Sequence, residues 1–262
     1  MDIDDPASVA ERAARAGGET AAETFRGRLD VETKSNEADL VTQADRAAQR
    51  AVLTELRDAT PDVPTVAEEA DARKEVPAEG PAWIVDPIDG TANYVRGIQF
   101  WATSVAAVED GEPVAAANVL PALGDAYVAD GSTARMNGEP VSVSERSNPA
   151  AFAVALTMWW GFTEEGSYGD TIARLGERFG DLRRIGAAQP TLSLVASGAL
   201  DAAATPIPPN PWDAVAGVGL VRAAGGVVTD VHGDRWTVDS EGLVASNGRA
   251  HDRLVDAVGG EN

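Results

Sequence analysis

Asp86 and Asp89 stand on either side of Pro87-Ile88, directly after the run Trp83-Ile84-Val85 and directly before Gly90-Thr91. Bulky and β-branched residues in a short apolar run read as a buried strand. Pro87 cannot donate to a sheet ladder, so the strand is expected to end at Asp86, with both carboxylates where the chain leaves the sheet. Hard divalent cations prefer oxygen donors, and two carboxylates with a free backbone carbonyl between them, that of Ile88, can hold one ion or bridge two. A turn or helix opening at Gly90-Thr91 would add unsatisfied N–H groups and the positive end of a dipole, which suits an anion such as phosphate. The plainer alternative is that Asp-Gly forms a turn and Asp-Pro-x-Asp caps it, with no chemistry attached.

Two further segments supply acids. Val66-Ala67-Glu68-Glu69 ends a short apolar stretch in adjacent carboxylates, and Pro211-Trp212-Asp213 opens what reads as an amphipathic helix running to Gly225-Gly226. Asp213 falls in the first turn of that helix, where the dipole favours a carboxylate even without a metal. A phosphotransferase of the haloacid dehalogenase type also ends a strand in Asp-x-Asp-Gly-Thr, its first aspartate acting as nucleophile. Here two residues separate the aspartates and one is a proline, so an aspartyl-phosphate route ranks below metal-assisted attack by water. A non-catalytic acidic cation-binding protein is the third reading. The chain has no cysteine, which excludes a phosphocysteine route. His232 and His251 lie in polar C-terminal segments with no partnered nucleophile and read as surface residues.

With these motifs in order, the chain resembles the inositol monophosphatase family of magnesium-dependent, lithium-sensitive phosphomonoesterases, which includes the archaeal fructose-1,6-bisphosphatases. The resemblance runs from Asp39-Leu40-Val41-Thr42-Gln43-Ala44-Asp45 through Glu68-Glu69 and Asp86-Pro87-Ile88-Asp89-Gly90-Thr91-Ala92-Asn93 to Trp212-Asp213 and Ala224-Gly225-Gly226. It implies an α+β fold layered as an α-β-α-β-α sandwich, and two or three Mg2+ ions. Glu68, Asp86 and the Ile88 carbonyl would hold one ion; Asp86, Asp89 and Asp213 would hold a second, and Glu68 would help with a weaker third. Gly90 and Thr91 would contact phosphate, and Thr91 with Asp45 would orient the attacking water. Ala188 matches a segment whose backbone faces substrate. Inositol-processing members carry an acid a few residues before Trp-Asp where this chain has Pro206, so inositol 1-phosphate and fructose 1,6-bisphosphate both stay open. Arg183 and Arg184 could meet a second phosphate, although an exposed pair on a strand edge explains them as well. Ala67 and Tyr94 are small departures from the family's usual glycine and phenylalanine.

Composition sets limits around this chemistry. The 262 residues suffice for one large domain or two small ones, and no run of about eighteen apolar residues could span a bilayer. The acidic start Met1-Asp2-Ile3-Asp4-Asp5 lacks the basic and apolar regions of a signal peptide, so a cytoplasmic protein is expected. The formal charge is −21, with 42 acidic and 21 basic residues. That argues against nucleic acid or an anionic membrane as partner and leaves a small phosphate ester. Lys34 and Lys74 are the only lysines; with the acid excess, this is the profile of a protein soluble at very high salt, where screening shortens to ~3 Å.

The elements that must position these residues follow from periodicity. A helix is expected from Pro6 to Arg26, a polar and flap-like loop from Gly27 to Ala38, and a helix running to Asp58 whose Thr42-Gln43-Ala44-Asp45 start resembles a capping box. Trp101–Val108, Val114–Leu120 and Ala126–Val128 read as an antiparallel meander, with a further hairpin at Asn137-Gly138 before Val141-Ser142-Val143. Beyond Ala151 the pattern becomes strand Phe152–Leu156, helix Tyr168–Phe179, strand Leu182–Ile185 and helix Pro190–Ala203, an α/β alternation. The Ser, Asn and Pro cluster near Arg146–Pro149 suggests two lobes, 1–147 carrying most metal ligands and 148–262 supplying Asp213 and substrate contacts. Trp159-Trp160 reads as core; exposed, it would serve the interface of the homodimer expected as the assembly.

Overall fold

The computed structural model describes residues 5–27, 31–33, 40–69, 72–157 and 167–259. Helix α1 (Pro6–Ala22) stops short of Arg26, and packs along α2 (Gln43–Ala59). Within the stretch read as a polar loop, β1 (Val31–Thr33) pairs antiparallel with β2 (Leu40–Thr42); the rest of the expected flap, like Trp159-Trp160, lies outside the described residues. The first sheet contains β3 (Thr65–Ala67), β4 (Pro81–Asp89), β5 (Ala102–Glu109), β6 (Glu112–Leu120), β7 (Asp125–Ala129), β8 (Ala134–Met136) and β9 (Glu139–Val141), side by side in chain order. β3 runs parallel to β4, and every later pair is antiparallel. The meander turns where its turn residues are: Asn137 and Gly138 take φ of 53° and 86°, as a tight hairpin requires.

The expected end of β4 at Asp86 is corrected. Asp86 pairs with Ser104 and Asp89 with Ala102, so Pro87 and Ile88 together face the single residue Thr103. This bulge relieves Pro87 of the ladder bond it cannot make and leaves its carbonyl to accept from Thr103 Oγ1 at 2.8 Å. Helix α3 (Thr91–Val95) follows at once, with Gly90 before it at φ 89°.

The second sheet is ordered β11-β10-β12-β14-β13, from β10 (Ala153–Leu156), β11 (Asp181–Arg184), β12 (Ala202–Thr205), β13 (Val227–Thr229) and β14 (Leu243–Ser246). β10 is parallel to both neighbours; β14 is antiparallel to β12 and β13. Helices α4 (Ser167–Arg178) and α7 (His251–Gly259) pack on its outer face through Leu175, Leu254 and Val258. Between the sheets lie α5 (Ala188–Ala196) and α6 (Pro211–Ala223); their Leu192, Val195, Val218 and Leu220 share one core with Ala106 and Leu120 of the first sheet and Ala203 and Ala245 of the second. With Val9, Ala13, Val52 and Leu56 of α1 and α2 packed on the far face of the first sheet, the layers run α-β-α-β-α.

Two helix expectations are corrected here. The helix expected over Pro190–Ala203 ends at Ala196, and Ser197 and Gly198, the latter at φ 72°, turn the chain into β12. Its alanines favour a helix intrinsically, but burial at the centre of the sheet overrides that preference. Helix α6 is not amphipathic: Ala214–Val218, Leu220 and Val221 are all buried, because sheets cover it on two sides.

Candidate metal and phosphate site

The bulge in β4 turns Asp86 and Asp89 toward the first turn of α6, and the carboxylates of Asp86, Asp89 and Asp213 offer oxygens that all lie within 4.8 Å of one another. Asp86 and Asp89 are 1% and 6% exposed. Burial, and then the nearby charge of Glu68, pushes the Asp86 carboxyl well above the usual carboxylate range. Burial and then Asp213 do the same to Asp89, although hydrogen bonds from the Gln189 and Ala188 N–H groups oppose the rise. Like charges crowded out of water in this way are stable only when protonated or when a cation joins them. The Asp86 Oδ1 atom is buried with no hydrogen-bond partner among the described residues, and a cation is the kind of group that would satisfy it. The donor set, carboxylates and backbone carbonyls with no sulfur or imidazole, suits a hard divalent cation.

The other anticipated residues gather around this trio. Glu68 follows β3, its N–H donating to the Val85 carbonyl at 3.2 Å, and its carboxyl stands close enough to Asp86 to raise that group. Lys74 Nζ donates to the Ala67 and Glu68 carbonyls at 2.8 and 2.6 Å and lies 5.2 Å from the ring centre of Trp212, so it braces the acidic turn against α6. Ile88 is fully buried; its carbonyl accepts from Thr91 Oγ1 at 3.1 Å, and the same hydroxyl lies 3.2 Å from Asp45 Oδ1. Asp45 is completely buried in the first turn of α2, so Thr91 ties that helix to the Ile88 carbonyl between the two aspartates. Gly90 is required: beyond its positive φ, an added Cβ would come within 2.7 Å of the Ala187 side chain. Ala188 begins α5, and Asn93 holds that approach by donating to the Ile185 carbonyl at 2.9 Å.

One expectation is corrected. His251 is not on the surface: it is 9% exposed and joined to Thr229 and Ser246. The strand-edge reading of Arg183 and Arg184, by contrast, agrees with the structure: both are exposed on the edge strand β11, Arg183 pairing with Asp181 at 2.5 Å and Arg184 lying over the Tyr168 ring. Sequence reasoning missed Gln189, Asn118 and Ser104, which form a buried polar chain beneath the aspartates. The available signal was a polar residue inside an apolar strand, as in Ala115-Ala116-Ala117-Asn118-Val119-Leu120, since such a group needs a buried partner.

The model of the inositol monophosphatase family matches residues 2–261. The chain belongs to the inositol monophosphatase family. It is 37% identical over 234 residues to a fructose-1,6-bisphosphatase/inositol-1-monophosphatase of Thermotoga maritima, covering 88% of each chain. It is also 33% identical to a histidinol-phosphatase of Chlorobaculum parvum over 235 residues, 89% of each. Among solved structures, an inositol monophosphatase of Thermotoga maritima superposes with a TM-score of 0.85 at 36% identity, over 96% of this chain and 94% of that one. Members of the inositol monophosphatase family are phosphoric monoester hydrolases, and so is this protein. The family is metal-dependent, and the acidic cluster fits that requirement.

Proposed function

We propose that this protein hydrolyses a small sugar or polyol phosphate with Mg2+, and that inositol 1-phosphate is its substrate, with fructose 1,6-bisphosphate the alternative. The observation that carries the reading is the trio Asp86, Asp89 and Asp213, with an Asp86 oxygen that is buried and has no hydrogen-bond partner among the described residues. In this reading Glu68, Asp86 and the Ile88 carbonyl bind one ion, Asp86, Asp89 and Asp213 a second, and Glu68 contributes to a third. Bound there, the cations neutralise charge on the phosphate and its leaving oxygen and make water a competent nucleophile near neutral pH. Gly90 and Thr91 hold the phosphate. The Thr91 hydroxyl, within reach of Asp45, orients the attacking water, and Asp45 is the acceptor toward which its proton moves. The Ala188 backbone borders the substrate. Residues 1–147 and 148–262 act as two lobes, with Asp213 and Ala188 completing from the second what the first presents.

The pairing of the two substrates follows the dual name of the Thermotoga relative, and Pro206, which offers no carboxylate to sugar hydroxyls, leaves the site discriminating weakly between them. The acid excess further supports operation at molar salt, and we infer a homodimer located in the cytoplasm. Phosphate release at high salt with magnesium, from inositol 1-phosphate, fructose 1,6-bisphosphate, histidinol phosphate and glycerol 2-phosphate, tests the proposal. Inositol 1-phosphate should lead by kcat/KM, with fructose 1,6-bisphosphate within about a thousandfold, because a pocket without a hydroxyl-binding acid discriminates weakly. Highest kcat/KM on histidinol phosphate would overturn the substrate, and no release from any ester would overturn the reaction.

A further inference from the structure

Gln189 occupies an unusual junction. It is completely buried in the first turn of α5, and its backbone N–H donates to Asp89 Oδ2 at 2.8 Å. Its side chain reaches α6 on both sides of Asp213: Nε2 donates to the Trp212 carbonyl at 2.7 Å, and Oε1 accepts from the Gly217 N–H at 2.8 Å. The same Oε1 accepts from Asn118 Nδ2 at 3.1 Å, while Asn118 Oδ1 accepts from Ser104 Oγ at 2.7 Å. Ser104 pairs with Asp86 across the β4–β5 ladder. One residue therefore connects the helix that carries Asp213 to the strand that carries Asp89, its side-chain amide holding α6 and its backbone N–H holding the Asp89 carboxylate. Gly217 makes the approach possible, since a Cβ there would overlap the Leu192 side chain of α5.

Trp212 immediately precedes Asp213, and Gly217 lies about one turn after it. Fixing both backbone groups sets the height and rotation of the first turn of α6, hence where the Asp213 carboxylate stands relative to Asp89. An apolar side chain of equal length would leave the Trp212 carbonyl and the Gly217 N–H without this partner, and the turn would no longer be held at two points. We propose that Gln189 is a positioning residue that sets the Asp89–Asp213 geometry, and through it the divalent-cation affinity of the site, without touching the ion. The inference rests on the metal-binding reading of the acidic trio.

Calorimetric titration with manganese(II) at constant high salt, on the parent, Gln189→Met and Leu192→Ala, tests it. Supports around metal ligands typically carry about tenfold or more in affinity, and Gln189→Met should show at least that loss. Turnover on the best substrate should recover toward the parental value at saturating manganese, since the reacting groups are untouched. Leu192→Ala loosens the same helix pair by opening a cavity. It should lower the melting temperature while its manganese affinity stays within about threefold of the parent, as expected when no support of the ligands is removed. If Gln189→Met binds within about threefold of the parent, or Leu192→Ala weakens binding equally, the positioning role is overturned. Should Gln189→Met not fold, Gln189→Glu decides, because it keeps the volume and the acceptor but as a carboxylate gives up the donor to Trp212. Its added negative charge favours cations, so a loss of about fivefold or more supports the role, and a smaller loss or a gain overturns it. A parent that binds no manganese overturns the metal reading along with this inference, whereas equal binding by parent and variants overturns the inference alone.

Discussion

At the residue scale, the functional statement of this chain is the cost of keeping Asp86 and Asp89 out of water. Their carboxyl groups are pushed up by burial first and by neighbouring acids second, so the site gains most from an ion that arrives with charge and vacant coordination positions. Replacing Asp86 by asparagine removes a buried charge and a ligand together. Asp86→Asn and Asp213→Asn should therefore each reduce turnover by several orders of magnitude while circular dichroism stays parental, because the lost charge stabilisation acts in the transition state. Initial rates decide the matter: a folded variant that keeps more than about a tenth of parental activity would remove that residue from the metal site. Thr91 and Asp45 are of another kind. Neither belongs to the trio, and their hydrogen bond joins α3 to α2.

At the element scale, α7 is anchored by the histidine that begins it. His251 Nε2 lies 2.9 Å from Thr229 Oγ1 of β13 and Nδ1 lies 2.7 Å from Ser246 Oγ of β14. Burial lowers its pKa below the ordinary 6.5, against a smaller upward pull from Asp252. The native state thus favours the neutral ring, while the unfolded chain takes up a proton near the ordinary value. Stability from this source is complete above about pH 6.5 and is lost as pH falls from there toward the lowered native pKa. Urea unfolding at about pH 7.5 and about pH 5.5 should show a drop for the parent that shrinks in His251→Gln, where no imidazole titrates. An equal drop in both proteins would mean that other groups carry the pH dependence.

At the scale of the whole molecule, a formal charge of −21 is concentrated by folding and relieved by unfolding. Salt should stabilise, and the melting temperature should climb from dilute buffer to molar potassium chloride. Magnesium should add a further rise that grows as RT ln(1 + [Mg]/Kd), since the native site gathers carboxylates that the unfolded chain disperses. That increment should be much smaller in Asp86→Asn. Differential scanning fluorimetry across both titrations reads these shifts. A flat or falling melting temperature with salt would refute adaptation to high salt, and an equal magnesium increment in the variant would locate the ion elsewhere.

Much of this protein was legible without coordinates. Trp83-Ile84-Val85, the Asp86–Thr91 run and the Asn137-Gly138 turn each act through local chemistry: β-branching, a missing N–H, a glycine at positive φ. Such features depend on neighbours in the chain, so their meaning survives before anything packs. Tertiary structure decided what depended on a second surface. Pro87 stays within β4 because Thr103 accepts a two-residue bulge across the ladder. Ala202–Thr205 is a strand because β10 and β14 flank it, and α6 loses its polar face because sheets cover two sides. His251 is buried by β13 and β14, and Gln189 acquires a role only because α5, α6 and β6 converge on its amide. Alanine-rich segments and isolated polar side chains carry no period of their own, so their state is set by contacts far away in sequence.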